Sequence, residues 1–270
     1  RNTAACIGYA AMEIIKKYGD GIMVIAPSDA YIKDWNKFTD VLSIAINAAK
    51  NEDKLVTIGI TPTFPATGYG YIKFTDKELG EAKLVEEFKE KPDLETAKEY
   101  VNSGNYVWNS GMFIWKASTI IKHFKELLPD IYNDLMTIAD AMGTNEEYEV
   151  IEKVYPNIRK ISIDYGIMEK SNDVLVVSGE FGWNDVGSWD MMNVLHDEDS
   201  NGNISVGDVL NIDTNNTIAY SNGKLIATVG VDNLIIVQTD DAILVCNRNK
   251  AQDVKKVVDA LNELDRSELL

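Results

Sequence analysis

The sequence predicts an α/β fold, a large and mainly parallel sheet wrapped by helices, followed by a small C-terminal β appendage. Three observations carry this. Over roughly the first 190 residues, short apolar runs alternate with helical patterns, which is the signature of βα units. After about His196 the texture changes to brief strands broken by Asn, Asp and Gly. A length of 270 residues accommodates one large domain and one small one, with the break expected between residues 1–195 and 196–270.

The first helix is expected to be capped by Asn2 or Thr3, followed by an apolar stripe through Ile7, Ala10, Ala11 and Ile14. Residues 22–26 read as a buried strand. Trp35, Phe38, Leu42, Ala45, Ile46 and Ala49 then recur at helical spacing, and residues 55–60 form a second buried strand, completing a right-handed βαβ crossover. Strands are expected at 84–88 and 112–115, with a helix through Leu94, Ala97 and Val101 between them. Helical patterns occupy 120–128, 131–141 and 146–154, and residues 174–178 return to the sheet. The appendage reads as strands at 206–210, 217–220, 225–229, 234–238 and 243–246. Their spacing suits a β-solenoid or a sandwich, and periodicity does not separate the two. Val254, Val257, Val258, Leu261 and Leu264 make a closing amphipathic helix.

Composition narrows the functional classes. With 45% apolar and 26% charged residues the chain is globular, neither disordered nor fibrous. No apolar run approaches the ~20 residues that span a bilayer, and the opening residues lack the order of a signal peptide, so a cytoplasmic location is expected. Cys6 and Cys246, the two cysteines, have no spacing for a disulfide framework or a zinc site. A net charge of -17 repels nucleic acid. A small anionic ligand would need local help from a divalent cation, helix N-termini and a few placed lysines.

Ligands of open α/β sheets sit beyond the carboxyl ends of the strands. Asp29, in APSDAYI, follows the strand at 22–26 and either projects into that crevice or serves as a turn or cap residue. Asp185, in GEFGWNDVGSWD, follows the strand at 174–178. Gly182, Gly187, Trp183 and Trp189 surround a carboxylate that must be paired or metal-bound, or else caps a helix beginning at Ser188 or Asp190. Between them, Gly68 and Gly70 flank Tyr69 and allow close backbone approach to a ligand. Glu90 and Lys91 pair an acceptor for sugar hydroxyls with an ammonium that can meet a phosphate.

Taken in order, RNTA from Arg1, PSD from Pro27, GITPT and TGYGYI between Gly59 and Ile72, EKP from Glu90, NSGMF from Asn109, SIDYGIMEKS from Ser162 and WNDVGSW from Trp183 resemble the mannose-1-phosphate guanylyltransferases, within the class of sugar-phosphate nucleotidyltransferases. The resemblance spans nearly the whole chain. It implies a Rossmann-like nucleotidyltransferase domain with a β-solenoid-like appendage, and Mg²⁺-dependent transfer of GMP from GTP to mannose 1-phosphate, giving GDP-mannose and pyrophosphate. By resemblance, Asp29 and Asp185 hold the Mg²⁺. Lys91 joins them in catalysis, and Tyr69, Gly70, Glu90, Lys91 and Asn109 line the mannose 1-phosphate pocket. Asp164 also touches the sugar, or caps the helix of SIDYGIMEK. Arg1, Asn2 and Thr3 lie near the guanine and ribose. The appendage is expected to join a homodimer.

The sequence departs from the family pattern at Ala30, where a His is usual, and at Phe64 and Ala66, which replace charged residues. The glycine-rich signature that grips the triphosphate is absent from these residues, so the chain reads as truncated at its N-terminus and inactive alone. These residues end too soon for the phosphomannose isomerase domain that some relatives carry, and a monofunctional transferase is expected. A non-catalytic sugar-nucleotide-binding relative, or a transferase for another hexose 1-phosphate or nucleotide, are the competing readings.

Overall fold

The computed structural model describes residues 1–269. The chain divides into two compact units, Arg1–Trp183 and a second that starts at Asn184, so the division falls inside the WNDVGSW segment.

In chain order the first unit holds α1 (Asn2–Tyr18), β1 (Ile22–Ile25), β2 (Tyr31–Ile32), α2 (Trp35–Asn51), β3 (Leu55–Ile60), β4 (Tyr71–Leu79), β5 (Ala82–Lys89), α3 (Leu94–Ser103), β6 (Tyr106–Lys116), α4 (Ala117–Leu127), α5 (Pro129–Ala141), α6 (Glu147–Val154) and β7 (Val174–Gly179). Its six-stranded sheet has the order β1-β6-β3-β7-β5-β4, and the start of β6 also pairs with β4. Side chains alternate across this sheet. Leu55, Val174 and Val176 enter a core with α1, α4 and α5, while Val56, Leu175 and Val177 enter another with α2 and α3. A sheet buried on both faces yields near-continuous apolar strands, which is why the period-2 signal is weak in β3 and β7.

The helices form where expected. Asp34 caps α2, its carboxylate accepting from the Lys37 N–H at 3.1 Å, and such a cap contributes about 1 kcal/mol. Gly8 lets α1 approach Leu135 and Phe124 without an intervening Cβ. The first turn of α1 is built differently from the expectation. Asn2 has a left-handed φ of 66° and accepts from the Thr3 N–H, while the Thr3 hydroxyl accepts from the Ile163 N–H at 2.8 Å, so neither side chain caps the helix.

Two expectations about the sheet are corrected. The sheet is mixed rather than mainly parallel: β1, β3 and β7 run in one direction, but β6 lies antiparallel between β1 and β3, and β3–β7 is the one parallel ladder of this sheet among the described residues. β1 is an edge strand with Val24 exposed, not a fully buried one. TGYGYI runs into β4, a nine-residue strand whose outer half is solvated, which hides its apolar pattern.

After β8 (Trp183–Asn184), the second unit contains β9 (Ile204–Val206), β10 (Val209–Ile212), β11 (Ile218–Ser221), β12 (Ile226–Val229), β13 (Leu234–Gln238), β14 (Ile243–Asn247) and α7 (Lys255–Glu263). β9, β11 and β13 pair in parallel, as do β10 and β12, so the chain coils as a β-solenoid and not a sandwich. Ile218 pairs with Ile204 on one side and Ile235 on the other, stacking three buried isoleucines in register. The strand expected at 206–210 is two strands separated by a corner at Gly207. That glycine has φ 82°, and a Cβ there would overlap the Ser221 carbonyl. The closing helix follows a tight 3-10 segment, Arg248–Val254, and leaves Val257, Val258 and Leu264 exposed.

Candidate active site

Four segments of the first unit converge on one group of polar side chains. Tyr69 and Gly70 lead into β4, Glu90 and Lys91 follow β5, Asn109 lies within β6, and Asp164 opens a π-helical turn, Asp164–Met168. The Asn109 N–H donates to the Gly70 carbonyl at 2.8 Å, and the Lys91 N–H to the Tyr69 carbonyl at 3.2 Å. The expected Tyr69, Gly70, Glu90, Lys91, Asn109 and Asp164 are therefore brought together.

Asn109 sits where the β3–β6 register shifts, between Thr57 and Gly59 on the partner strand. Such irregularities re-aim side chains. Its Oδ1 accepts from the Gly111 N–H at 3.1 Å, and its Nδ2 donates to the Asp164 carboxylate at 3.0 Å. Asp164 thus binds a neighbouring strand and makes no side-chain cap; the turn's preceding residue is Ile163. Gly70 is required for close approach, because a Cβ there would overlap Glu90 Oε2 and lie 3.3 Å from Asn109 Cβ.

Lys91 adopts a left-handed φ of 48°, which turns its side chain out beside Glu90. Lys91 Nζ lies 3.5 Å from Glu90 Oε1, with the lysine side chain 59% exposed and the glutamate 13%. Burial raises the Glu90 pKa, and the nearby Asp164 charge adds to the rise while Lys91 opposes it. Burial likewise raises the Asp164 pKa, against the pull of the Asn109 amide and Lys91. The group therefore holds two carboxylates that benefit from donors, next to an exposed ammonium that benefits from an anion. A polyhydroxylated ligand bearing a phosphate supplies both.

Aromatic rings wall this group. The Tyr69 ring centroid lies 5.1 Å from that of Trp108 and 5.4 Å from that of Trp183, and Phe64 packs edge-on to Trp108 at 4.9 Å. Phe64, a departure from the family pattern, thereby gains a packing role that a charged residue would not fill. Glu169 escaped the sequence reading. It looks like one half of a solvated Glu-Lys pair, yet its carboxylate accepts from the Glu90 N–H at 3.3 Å.

Asp29 lies in the exposed loop between β1 and β2 and makes no hydrogen bond or ion pair among the described residues. It does not cap α2, since Asp34 does. Its loop is anchored by Pro27, whose Cγ would be 3.3 Å from a Cβ on Gly111 of β6. Asp185 belongs to the second unit. There the Val186 N–H donates to Asn184 Oδ1 at 2.7 Å, the Gly187 N–H donates to Asp185 Oδ1 at 3.2 Å, and Val186 takes a left-handed φ of 49°. The 3-10 turn Trp189–Val194 is preceded by Ser188, so Asp185 is not its cap. Among the described residues no three His, Cys, Asp or Glu side chains gather as a metal cluster. Asp29 and Asp185 each carry a carboxylate, the donor type that Mg²⁺ takes.

Thr3 and Ala4 are tied to the segment preceding Asp164, through Thr3 Oγ1 to the Ile163 N–H and the Ala4 N–H to the Ile161 carbonyl at 3.3 Å. Arg1 and Asn2 are exposed beside them.

Residues 1–201 match the family model described as nucleotidyl transferase, and residues 207–261 match one described as a MannoseP isomerase/GMP-like beta-helix domain. The chain is 42% identical over 269 residues to the xanthan biosynthesis protein XanB of Xanthomonas campestris pv. campestris (strain B100), covering 99% of this chain and 57% of that protein. It is 41% identical over 275 residues to a mannose-1-phosphate guanylyltransferase of Salmonella montevideo, covering 99% and 58%. The chain thus spans little more than half the length of these curated relatives. Its structure resembles that of a Thermus thermophilus protein described as a mannose-1-phosphate geranyltransferase, with a TM-score of 0.85, 34% identity, and coverage of 97% of this chain and 76% of that one. It also resembles a Helicobacter pylori mannose-6-phosphate isomerase, with a TM-score of 0.57, 26% identity, and coverage of 68% and 70%. No helix among the described residues is long and apolar enough to cross a membrane.

Proposed function

This chain belongs to the nucleotidyl transferase family, and from that premise we propose that it serves the transfer of GMP from GTP to mannose 1-phosphate, giving GDP-mannose and pyrophosphate. The observation that carries the reading is the convergence of Glu90, Lys91, Asn109 and Asp164 around Gly70. The half-buried carboxylates accept from sugar hydroxyls, and the exposed Lys91 ammonium meets the phosphate.

In this reaction an oxygen of the sugar phosphate attacks the α-phosphorus of GTP, and the bond to pyrophosphate breaks in line. Two anions must approach, so the work of the site is to neutralise charge and align oxygens. Lys91 neutralises the sugar phosphate and Glu90 orients the ring that carries it. The Asn109–Asp164 hydrogen bond keeps the wall of the pocket in place. Asp29 and Asp185 are the residues proposed to hold Mg²⁺, which when bound polarises the phosphates and screens their repulsion. Arg1, Asn2 and Thr3 are assigned to the guanosine side on the family resemblance. The proposal extends to a cytoplasmic homodimer joined through the solenoid, supported by exposed Leu210, Ile212, Val229, Ile243 and Val245 on that unit.

The test is pyrophosphate release by the protein with GTP or ATP and a panel of hexose 1-phosphates. Release that requires GTP and mannose 1-phosphate supports the proposal. Release indifferent to the sugar refutes it, and retained sugar-nucleotide binding without release identifies a non-catalytic relative.

A further inference from the structure

Asp164 and Glu169 stand at the two ends of one π-turn. The Glu169 N–H donates to the Asp164 carbonyl at 2.9 Å, closing a turn one residue wider than α-helix. The turn is locked from behind: Ile163, Gly166, Ile167 and Met168 are buried, and a Cβ on Gly166 would come within 3.0 Å of the Leu128 side chain. From this fixed base two carboxylates reach two different segments of the candidate site. Asp164 holds Asn109 of β6, and Glu169 Oε1 holds the Glu90 N–H at 3.3 Å.

The second contact falls on a demanding turn. Lys91, the next residue, has a left-handed φ of 48°, and its own N–H is held by the Tyr69 carbonyl at 3.2 Å. Successive amides of the Glu90–Lys91 turn are therefore held by two partners, one from the lead into β4 and one from the π-turn. A residue other than glycine keeps such a φ only where its surroundings over-determine it.

We propose that Glu169 is a positioning residue of the sugar-phosphate site. Its carboxylate fixes the Glu90 amide, which aims the Glu90 carboxylate and the Lys91 ammonium without touching the ligand. The inference rests on the sugar-phosphate reading for its ligand, and on geometry alone for the clamp.

The test compares Glu169→Ala with Glu169→Gln in the full chain, by two readouts. The first is amide hydrogen exchange at Glu90 in the ligand-free protein; the second is calorimetric affinity for mannose 1-phosphate. Loss of one hydrogen bond should speed exchange and weaken affinity about fivefold in the alanine variant. Glutamine, whose carbonyl oxygen can accept the same bond, should restore both, with thermal stability unchanged. The proposal is overturned if alanine leaves Glu90 exchange unaltered, or if glutamine behaves like alanine, since the negative charge and not the hydrogen bond would then matter. If the parent chain does not bind mannose 1-phosphate, the functional reading falls, and the exchange readout still decides the clamp.

Discussion

Replacing Gly70 with alanine separates the pocket from the fold. Gly70 does not occupy the left-handed region, so alanine meets no backbone strain there. The added methyl instead overlaps Glu90 Oε2 and sits 3.3 Å from Asn109 Cβ. To regain ordinary contact distance the Glu90 carboxylate must retreat by about 1 Å. It ends a flexible side chain and can do so cheaply, at a stability loss of about 1 kcal/mol or less. A 1 Å misplacement of a substrate-positioning group reduces rate by as much as about 100-fold. Gly70→Ala should therefore keep its Tm within a few degrees while losing on the order of ten- to a hundredfold in mannose 1-phosphate affinity and in kcat/KM of the parent enzyme. Calorimetry and pyrophosphate release measure these. A variant that binds like the parent chain would show that Glu90 does not face the sugar, and one that unfolds would show that the Gly70–Glu90 contact is core packing.

Asp185→Asn should lower kcat by orders of magnitude while folding stays nearly intact, since asparagine can still accept from the Gly187 N–H; a loss of stability alone would return Asp185 to a turn role. Glu90→Gln should raise stability near neutral pH. Burial and the Asp164 charge lift the folded pKa of Glu90 above its unfolded value, so the native protein loses stability as pH rises from about 4 through the folded pKa, and the glutamine variant lacks this contribution while keeping that of Asp164. The Tm gap between variant and parent should open over that range and close below it, and a gap independent of pH refutes the electrostatic account. Ile218→Ala, at the centre of the Ile204–Ile218–Ile235 stack, should destabilise the solenoid by about 2–5 kcal/mol in denaturant unfolding; a change below about 1 kcal/mol would mean that the stack does not carry its core.

Most of the candidate site was legible as short segments of unusual composition. TGYGYI, EKP, NSGMF and SIDYGIMEKS each supply a residue that the fold brings to one place, and the Gly70–Glu90 approach gives a physical reason for the glycine. Glu169 was hidden because an exposed glutamate beside a lysine has the composition of any solvated surface, and its contact with Glu90 spans 79 positions. The roles of Asp29 and Asp185 as turn residues were open in the sequence. The structure removes the capping role from each, and the substitution above tests the metal role of Asp185.

Helices, strands and the break in texture near residue 196 follow from local periodicity, because burial on one face imposes 3.6- or 2-residue spacing wherever the element lies. Strand order and direction do not. The antiparallel insertion of β6 between β1 and β3, the register shift that aims Asn109, and the π-turn that presents Asp164 and Glu169 are set by pairing between distant segments. The choice of solenoid over sandwich has the same origin. Short apolar runs of similar spacing fit either, and the parallel ladder, with its in-register isoleucines, forms only when successive coils stack.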